Sequence, residues 1–296
     1  MRLTQLACDF LSEASASSRN ILGKYGDIQS QFFKIVIDDY GYGVHSAKHS
    51  TLYENTLATC DLISEVHAYW KFYLSSSLAI SNYYHYVSRD HSKYFRAIGA
   101  IAVAESMFSH TCRKISQMLH TVFGKSIDTY YFDEHVHIDA HHGRMAFEHV
   151  VAPAIERYGN GVIPDIVRGM EELQLLTAIA DEDFIAQVSF FDAVADLKTA
   201  AQRIHARIVE GSLPQPAITH LATRSQPFIT RVSNQDQLYA VQSGTLDLVL
   251  GPDQTVRLDR GDVMIVPRQR LHGTAIVSEE SWYYVYDFED YQSCLS

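Results

Sequence analysis

A chain of 296 residues, 47% of them hydrophobic, is long enough to bury one large core or two ordinary ones. Its formal charge of −11 argues against nucleic-acid backbones and anionic membranes as partners, since both need basic surfaces. Cys8, Cys60, Cys112 and Cys294 are scattered with no CxxC pair, as in a reduced, cytoplasmic protein. No signal-peptide-like run precedes Cys8, and no stretch of about 18 apolar residues is present to span a membrane.

Residues 1–212 read as helix. The runs 3–15, 27–39, 50–74, 91–123 and 131–158 carry apolar residues at three- and four-residue spacing. Glycine-bearing "KYGD", "YGYG", "FGKS" and "YGNG" punctuate them, and Pro164 suits the first turn of a further helix. At "VEGSLPQPAITH" the pattern changes to short β-rich runs: "FITRVS", "QLYAVQSG", "TLDLVLG", "TVRLDRGD", "VMIVPR" and "WYYVYDF". Residues 213–296 are therefore expected to form a jelly-roll-like β-sandwich, with the boundary near 212.

Chemistry-bearing residues cluster in three places. The first is "EHVHIDAHHGR" (134–144). On a helix turning roughly 100° per residue, His135, Asp139 and His142 fall within about a 60° arc, and His137 and His141 point to the other side. Two imidazoles and a carboxylate on one stripe suit Fe, Mn or Zn; a polar helix face with satisfied histidines is the plainer alternative. The second is Glu105, inside the apolar run "RAIGAIAVAESMF". A carboxylate there is costly unless it is paired with a base or bound to a metal. Gly99, Ala100, Ala102 and Ala104 would let another helix approach closely. The third is "DDYGYGVHSAKHSTLYE", where Asp38 and Asp39 end one helix and His49 opens the next on the face of Leu52 and Thr56.

Together these motifs resemble the haem-oxygenase-like diiron oxidases and oxygenases, over nearly all of residues 1–210. The resemblance implies a seven-helix bundle holding two non-haem Fe(II) ions, with Mn as an alternative metal and O2 as co-substrate. It implies His135, Asp139 and His142 as ligands from the last core helix, Glu105 from the central one and His49 from the first. Asp39 stands where the family commonly has Glu in "DEYG". Amine-oxidising members add a carboxylate from an earlier helix, for which Glu13 is the candidate; a solvent-facing helical Glu is its alternative. The implied substrate is a small amino-acid-derived molecule in specialised biosynthesis. N-oxygenation and oxidative C–C cleavage are both open, with a lean towards the first from Glu13, and an external electron donor is a further expected partner. Tyr83, Tyr84, Tyr130 and Tyr131 are candidate pocket residues.

The β-rich tail resembles a cupin. "GDVMIVPRQRLHGTA" places Gly261, Pro267 and His272 at the intervals of the second cupin motif. The first motif normally supplies two histidines and a glutamate; here both histidines are missing and Gln237 stands near the glutamate position. One imidazole cannot hold a metal tightly. This module is therefore expected to be metal-free, serving as a dimerisation surface, lid or relic, and the expected assembly is a homodimer. Nitrosourea-forming enzymes share the diiron-plus-cupin plan, but their cupin carries its own iron.

Other readings are a ferritin-like bundle, which needs two Glu-x-x-His pairs where only Glu134 and His137 fit; a zinc hydrolase, which lacks HExxH; a metal-free thiaminase-like relative; and a cupin-based ligand sensor.

Overall fold

The computed structural model describes residues 1–21 and 26–295. The "KYGD" turn lies partly outside them. Two compact units divide between Asp181 and Glu182, within one long helix: Arg2–Asp181, and Glu182–Ser296 with Met1. Residue 212 falls in the turn that follows the last helix.

The first unit is helical. Its helices are α1 (Arg2–Phe10), α2 (Asp27–Asp39), α3 (His49–Thr59), α4 (Ser75–Ser88), α5 (Tyr94–Phe123), α6 (Tyr130–Met145), α7 (Ala152–Tyr158) and the first part of α8 (Ile163–Asp192). A π-helical segment, Ala146–Val151, joins α6 to α7 in one continuous rod, giving seven rods among the described residues. Helix α2 shows why these segments fold so: Asp27 favours the N-terminal dipole, and Ile28, Phe32, Ile35 and Val36 line one buried face. The small residues of α5 act as their spacing implies. A Cβ on Gly99 would lie 2.0 Å from the carbonyl oxygen of Ile166 in α8, and one on Gly169 would lie 2.0 Å from that of Arg96. The two glycines therefore let the backbones of α5 and α8 meet.

Two expected helices are shorter than the periodicity implies. The run 3–15 stops at Phe10, and the following turn carries Ala14 at φ +61°. The run 50–74 stops at Thr59, and Asp61 (φ +56°) and His67 (φ +63°) take the left-handed conformation in the linker that follows. Such residues end helices whatever the apolar spacing around them.

The second unit holds the end of α8, helix α9 (Val194–Val209) and a sandwich of two four-stranded antiparallel sheets. The strands are β1 (Ala217–Thr223), β2 (Thr230–Arg231), β3 (Asp236–Ser243), β4 (Leu246–Gly251), β5 (Gln254–Leu258), β6 (Val263–Val266), β7 (His272–Ile276) and β8 (Glu280–Phe288). The sheet orders are β1-β8-β3-β6 and β2-β7-β4-β5. Leu197, Ala201 and Ile204 of α9 share one core with Leu238, Leu246, Met264 and Val285, so the sandwich is sealed by helix as well as by strand. Strands β1 and β7 carry no β-rich run in the sequence; Pro214 and Pro216 mask the first, and the His272–Gly273 pair masks the second.

Candidate metal centre

Helix α6 presents the histidine cluster as its periodicity requires. His135, Asp139 and His142 are buried, while His137 and His141 are exposed. Opposite them stands Glu105 on α5. Its carboxylate meets His142, and no described lysine or arginine pairs with it. The close approach depends on Gly143, where a Cβ would lie 2.9 Å from Ser106 Oγ and 3.2 Å from the Glu105 carbonyl. Asp38 and Asp39 come from the last turn of α2, and His49 from the first residue of α3. The loop between them closes on itself at Gly41 (φ +60°), where any Cβ would strike the Ala47–Lys48 backbone at 2.5 Å. Glu13 arrives from the turn after α1, not from a helix.

Two groups form. Glu13, His49 and His135 offer ligand atoms all within 4.8 Å of one another, and so do Glu105, Asp139 and His142. In the first, Glu13 Oε1 lies 3.1 Å from His49 Nδ1 and 2.9 Å from His135 Nε2. In the second, Glu105 Oε2 lies 3.2 Å from His142 Nδ1. Asp39 stands between them, with Oδ1 3.5 Å from His49 Nδ1 and 3.8 Å from His142 Nδ1. The structure thus brings all seven residues singled out from the sequence to one place.

The electrostatics of this place are lopsided. Five carboxylates (Glu13, Asp38, Asp39, Glu105 and Asp139) face three imidazoles, and no described lysine or arginine pairs with them. Burial and the neighbouring carboxylates push Asp39 well above the usual range. The same causes, burial first and Glu105 second, raise Asp139 to about 8. Burial opposes the charge on Glu13 too, but His135 and His49 outweigh it and hold that carboxyl low. His135 rises to about 9 because Glu13 overcomes its burial.

A family model described as "iron-containing redox enzyme" matches residues 3–177. The chain belongs to the haem-oxygenase-like iron-containing redox enzymes. Nitrosourea synthase of Streptomyces achromogenes subsp. streptozoticus is 43% identical over 295 residues, covering all of this chain; the chain spans 63% of that protein's length. Among solved structures, the chain is similar to a putative ethanolamine utilization protein of Salmonella typhimurium LT2 (16% identity, 27% of this chain and 63% of that one, TM-score 0.23). It is also similar to a cupin-2 domain protein of Shewanella frigidimarina NCIMB 400 (20% identity, 23% and 66%, TM-score 0.20).

The donor set fits iron. Mixed imidazole and carboxylate ligands suit a redox-active first-row metal. Asp139 Oδ2 is buried with no hydrogen-bond partner among the described residues, a costly state that a cation in the second group would relieve. Positive charge would likewise offset the burial and the carboxylate repulsion that raise Asp39 and Asp139.

A cavity of about 470 Å³ opens on this cluster, with Glu13, Asp39, Glu105, His135 and Asp139 in its wall. Tyr84 and Tyr131 also line it. Of the other candidate pocket tyrosines, Tyr83 is buried and donates to Glu172, and Tyr130 is mostly exposed; neither reaches the cavity. Sequence reasoning missed Asp9, whose carboxyl is raised to about 7 by burial and by Glu13. The available signal was the i, i+3, i+7 stripe of Arg2, Gln5 and Asp9 on α1, which faces this cavity.

The sandwich interior contrasts with the helical cluster. His272 Nε2 accepts from the Tyr239 hydroxyl at 2.8 Å, and its Nδ1 donates to the Arg270 carbonyl at 2.9 Å. Arg231 donates to Tyr239 at 2.7 Å, and Gln237 is tied to Asp287 at 2.8 Å. Both nitrogens of the cupin-motif imidazole are thus taken by protein groups.

Proposed function

We propose that the helical unit binds two ferrous ions and uses O2 to oxygenate a nitrogen of a small amino-acid-derived substrate. The observation that carries this reading is Asp39, set between two three-ligand groups on the wall of one cavity. Glu13, His49 and His135 would hold one ion, Glu105, Asp139 and His142 the other, with Asp39 shared. The same oxygen and nitrogen donors would accept Mn. When bound, the two ferrous ions supply two electrons for the reduction of O2.

The chain's own residues do the rest. The four carboxylates would match the 4+ charge of the two ions, and the apolar wall, including Phe108, Ile101 and Val103, would keep bulk water from the reacting atoms. Asp9 and the Arg2–Asp181 ion pair (2.8 Å) add charged groups of both signs, which suit a polar amino-acid-like molecule better than a hydrocarbon chain. Over one cycle an N–H becomes N–OH, the second oxygen atom leaves as water, and two electrons and two protons are consumed. An external donor must replace those electrons. The relative named nitrosourea synthase supports nitrogen as the atom oxidised, ahead of oxidative C–C cleavage. The engaged His272 and the missing first-motif histidines support a metal-free sandwich. Exposed Leu175 and Ile179 on α8 are compatible with a homodimer.

The test is oxygenation of amino acids and their amine derivatives by the Fe(II)-loaded chain under 18O2, with a reductant and mass-spectrometric detection. One 18O on nitrogen per turnover is expected. A product shortened by carbon would favour C–C cleavage, and no substrate-dependent O2 uptake would defeat the oxygenase reading.

A further inference from the structure

The two ligand groups hold their α6 imidazoles in opposite ways. His135 Nδ1 lies 2.7 Å from the backbone carbonyl of Tyr131, one turn earlier, so this nitrogen donates and Nε2 faces Glu13. His142 is reversed. Its Nδ1 faces Glu105 Oε2 at 3.2 Å, and its Nε2 meets Asp38 Oδ2 at 3.0 Å. The two nitrogens of an imidazole point away from each other across the ring. A carboxylate on Nε2 therefore cannot share an ion with Nδ1. Rotating the ring by half a turn would set carbon where each nitrogen stands and leave both carboxylates against C–H groups.

We infer that Asp38 is a positioning residue: its carboxylate accepts the Nε2–H of His142 and so holds the Nδ1 lone pair towards Glu105 and Asp139. This rests on the reading of those three residues as one metal's ligands. Neighbouring positions on a helix point about 100° apart. The last turn of α2 can thus send Asp39 between the two groups and Asp38 behind His142. The fixed tautomer matters because a metal needs a nitrogen without a proton. A carboxylate partner also makes the imidazole a better donor than a backbone carbonyl does. The Asp38 side chain is 25% exposed while that of His142 is 0% exposed, so Asp38 seals the outer edge of the ring. Asp38 drew attention in the sequence only as a helix end, because adjacency to Asp39 gave no sign of separate roles.

The test uses the full chain as wild type, Asp38→Ala and Asp38→Asn, each titrated anaerobically with Fe(II) and separately with Co(II), whose visible absorption reports ligand geometry. Asparagine keeps an acceptor oxygen and alanine does not. Far-UV circular dichroism of the metal-free proteins checks that all three fold. Expected are two ions in the wild type, an affinity loss of about 10–100-fold for one of the two in Asp38→Ala with an altered Co(II) band, and recovery of most of that loss in Asp38→Asn. Wild-type affinity and spectrum for both ions in Asp38→Ala would overturn the inference alone. So would an Asn variant as weak as the Ala variant. A wild-type chain that takes up no ion would overturn both this inference and the two-ion reading beneath it.

Discussion

Tyr131 donates its hydroxyl to Glu13 Oε2 at 2.7 Å. Its backbone carbonyl accepts from His135 Nδ1 at the same distance, so one residue orients two members of the first ligand group. The ring is fully buried, and burial raises the phenol well above its ordinary value, which keeps it a donor. Tyr131→Phe removes only the hydroxyl. It should weaken one of the two proposed metal sites by about tenfold or more and leave the other unchanged. Fe(II) titration of the variant checks this. An equal loss at both sites would mean that the hydroxyl supports the bundle generally and not Glu13.

The approach of α6 to α5 is set by Gly143. A Cβ there meets Ser106 Oγ at 2.9 Å, Ser106 Cα at 3.1 Å and the Glu105 carbonyl at 3.2 Å, and two of those three atoms belong to backbone that cannot rotate aside. Gly143→Ala should cost about 1–3 kcal/mol in urea unfolding through overpacking. It should also reduce metal uptake, because Glu105 and His142 would be pushed apart. Gly161→Ala is the control: a Cβ there meets nothing within 4 Å, so little change is expected.

His272 gives the sandwich a pH dependence of known sign. Burial pushes this imidazole from 6.5 down to about 4. Between those values the unfolded chain binds a proton that the folded chain does not. The stabilisation is therefore complete above pH 6.5 and is lost as the pH falls towards 4. The change from pH 7 to pH 5 amounts to roughly 2 kcal/mol. His272→Gln removes this titration, so the stability gap between wild type and variant should narrow by that amount on acidification. Parallel pH profiles in urea titrations would contradict the assignment.

Much of this site was legible in the sequence because two elementary rules govern it. The i, i+4, i+7 spacing places His135, Asp139 and His142 on one helix face, and a carboxylate in an apolar run, Glu105, demands a partner. His49 was legible as a helix start with an inward face. Glu13 was visible only as a residue type. Its place depends on how the turn after α1 folds back, and Ala14 at φ +61° breaks the periodicity that a helix reading relies on. Asp38 and Asp9 were not read as site residues, because their roles come from contacts between α2 and α6 and from the cavity face of α1, which no local pattern encodes. In the sandwich, six of the eight strands announced themselves by β-branched and aromatic residues. Strands β1 and β7 did not, since their pairing with β8 and with β2 and β4 does what local propensity leaves undone.

Separate helices and one turn converge on the two groups proposed to hold a pair of ions. Anaerobic titration of the full chain with Fe(II), beside Glu105→Ala and His142→Ala, tests that proposal most directly. Close to two ions per wild-type chain are expected, with loss of at least one in each variant. Two ions in every one of the three proteins, or none in the wild type, would contradict it.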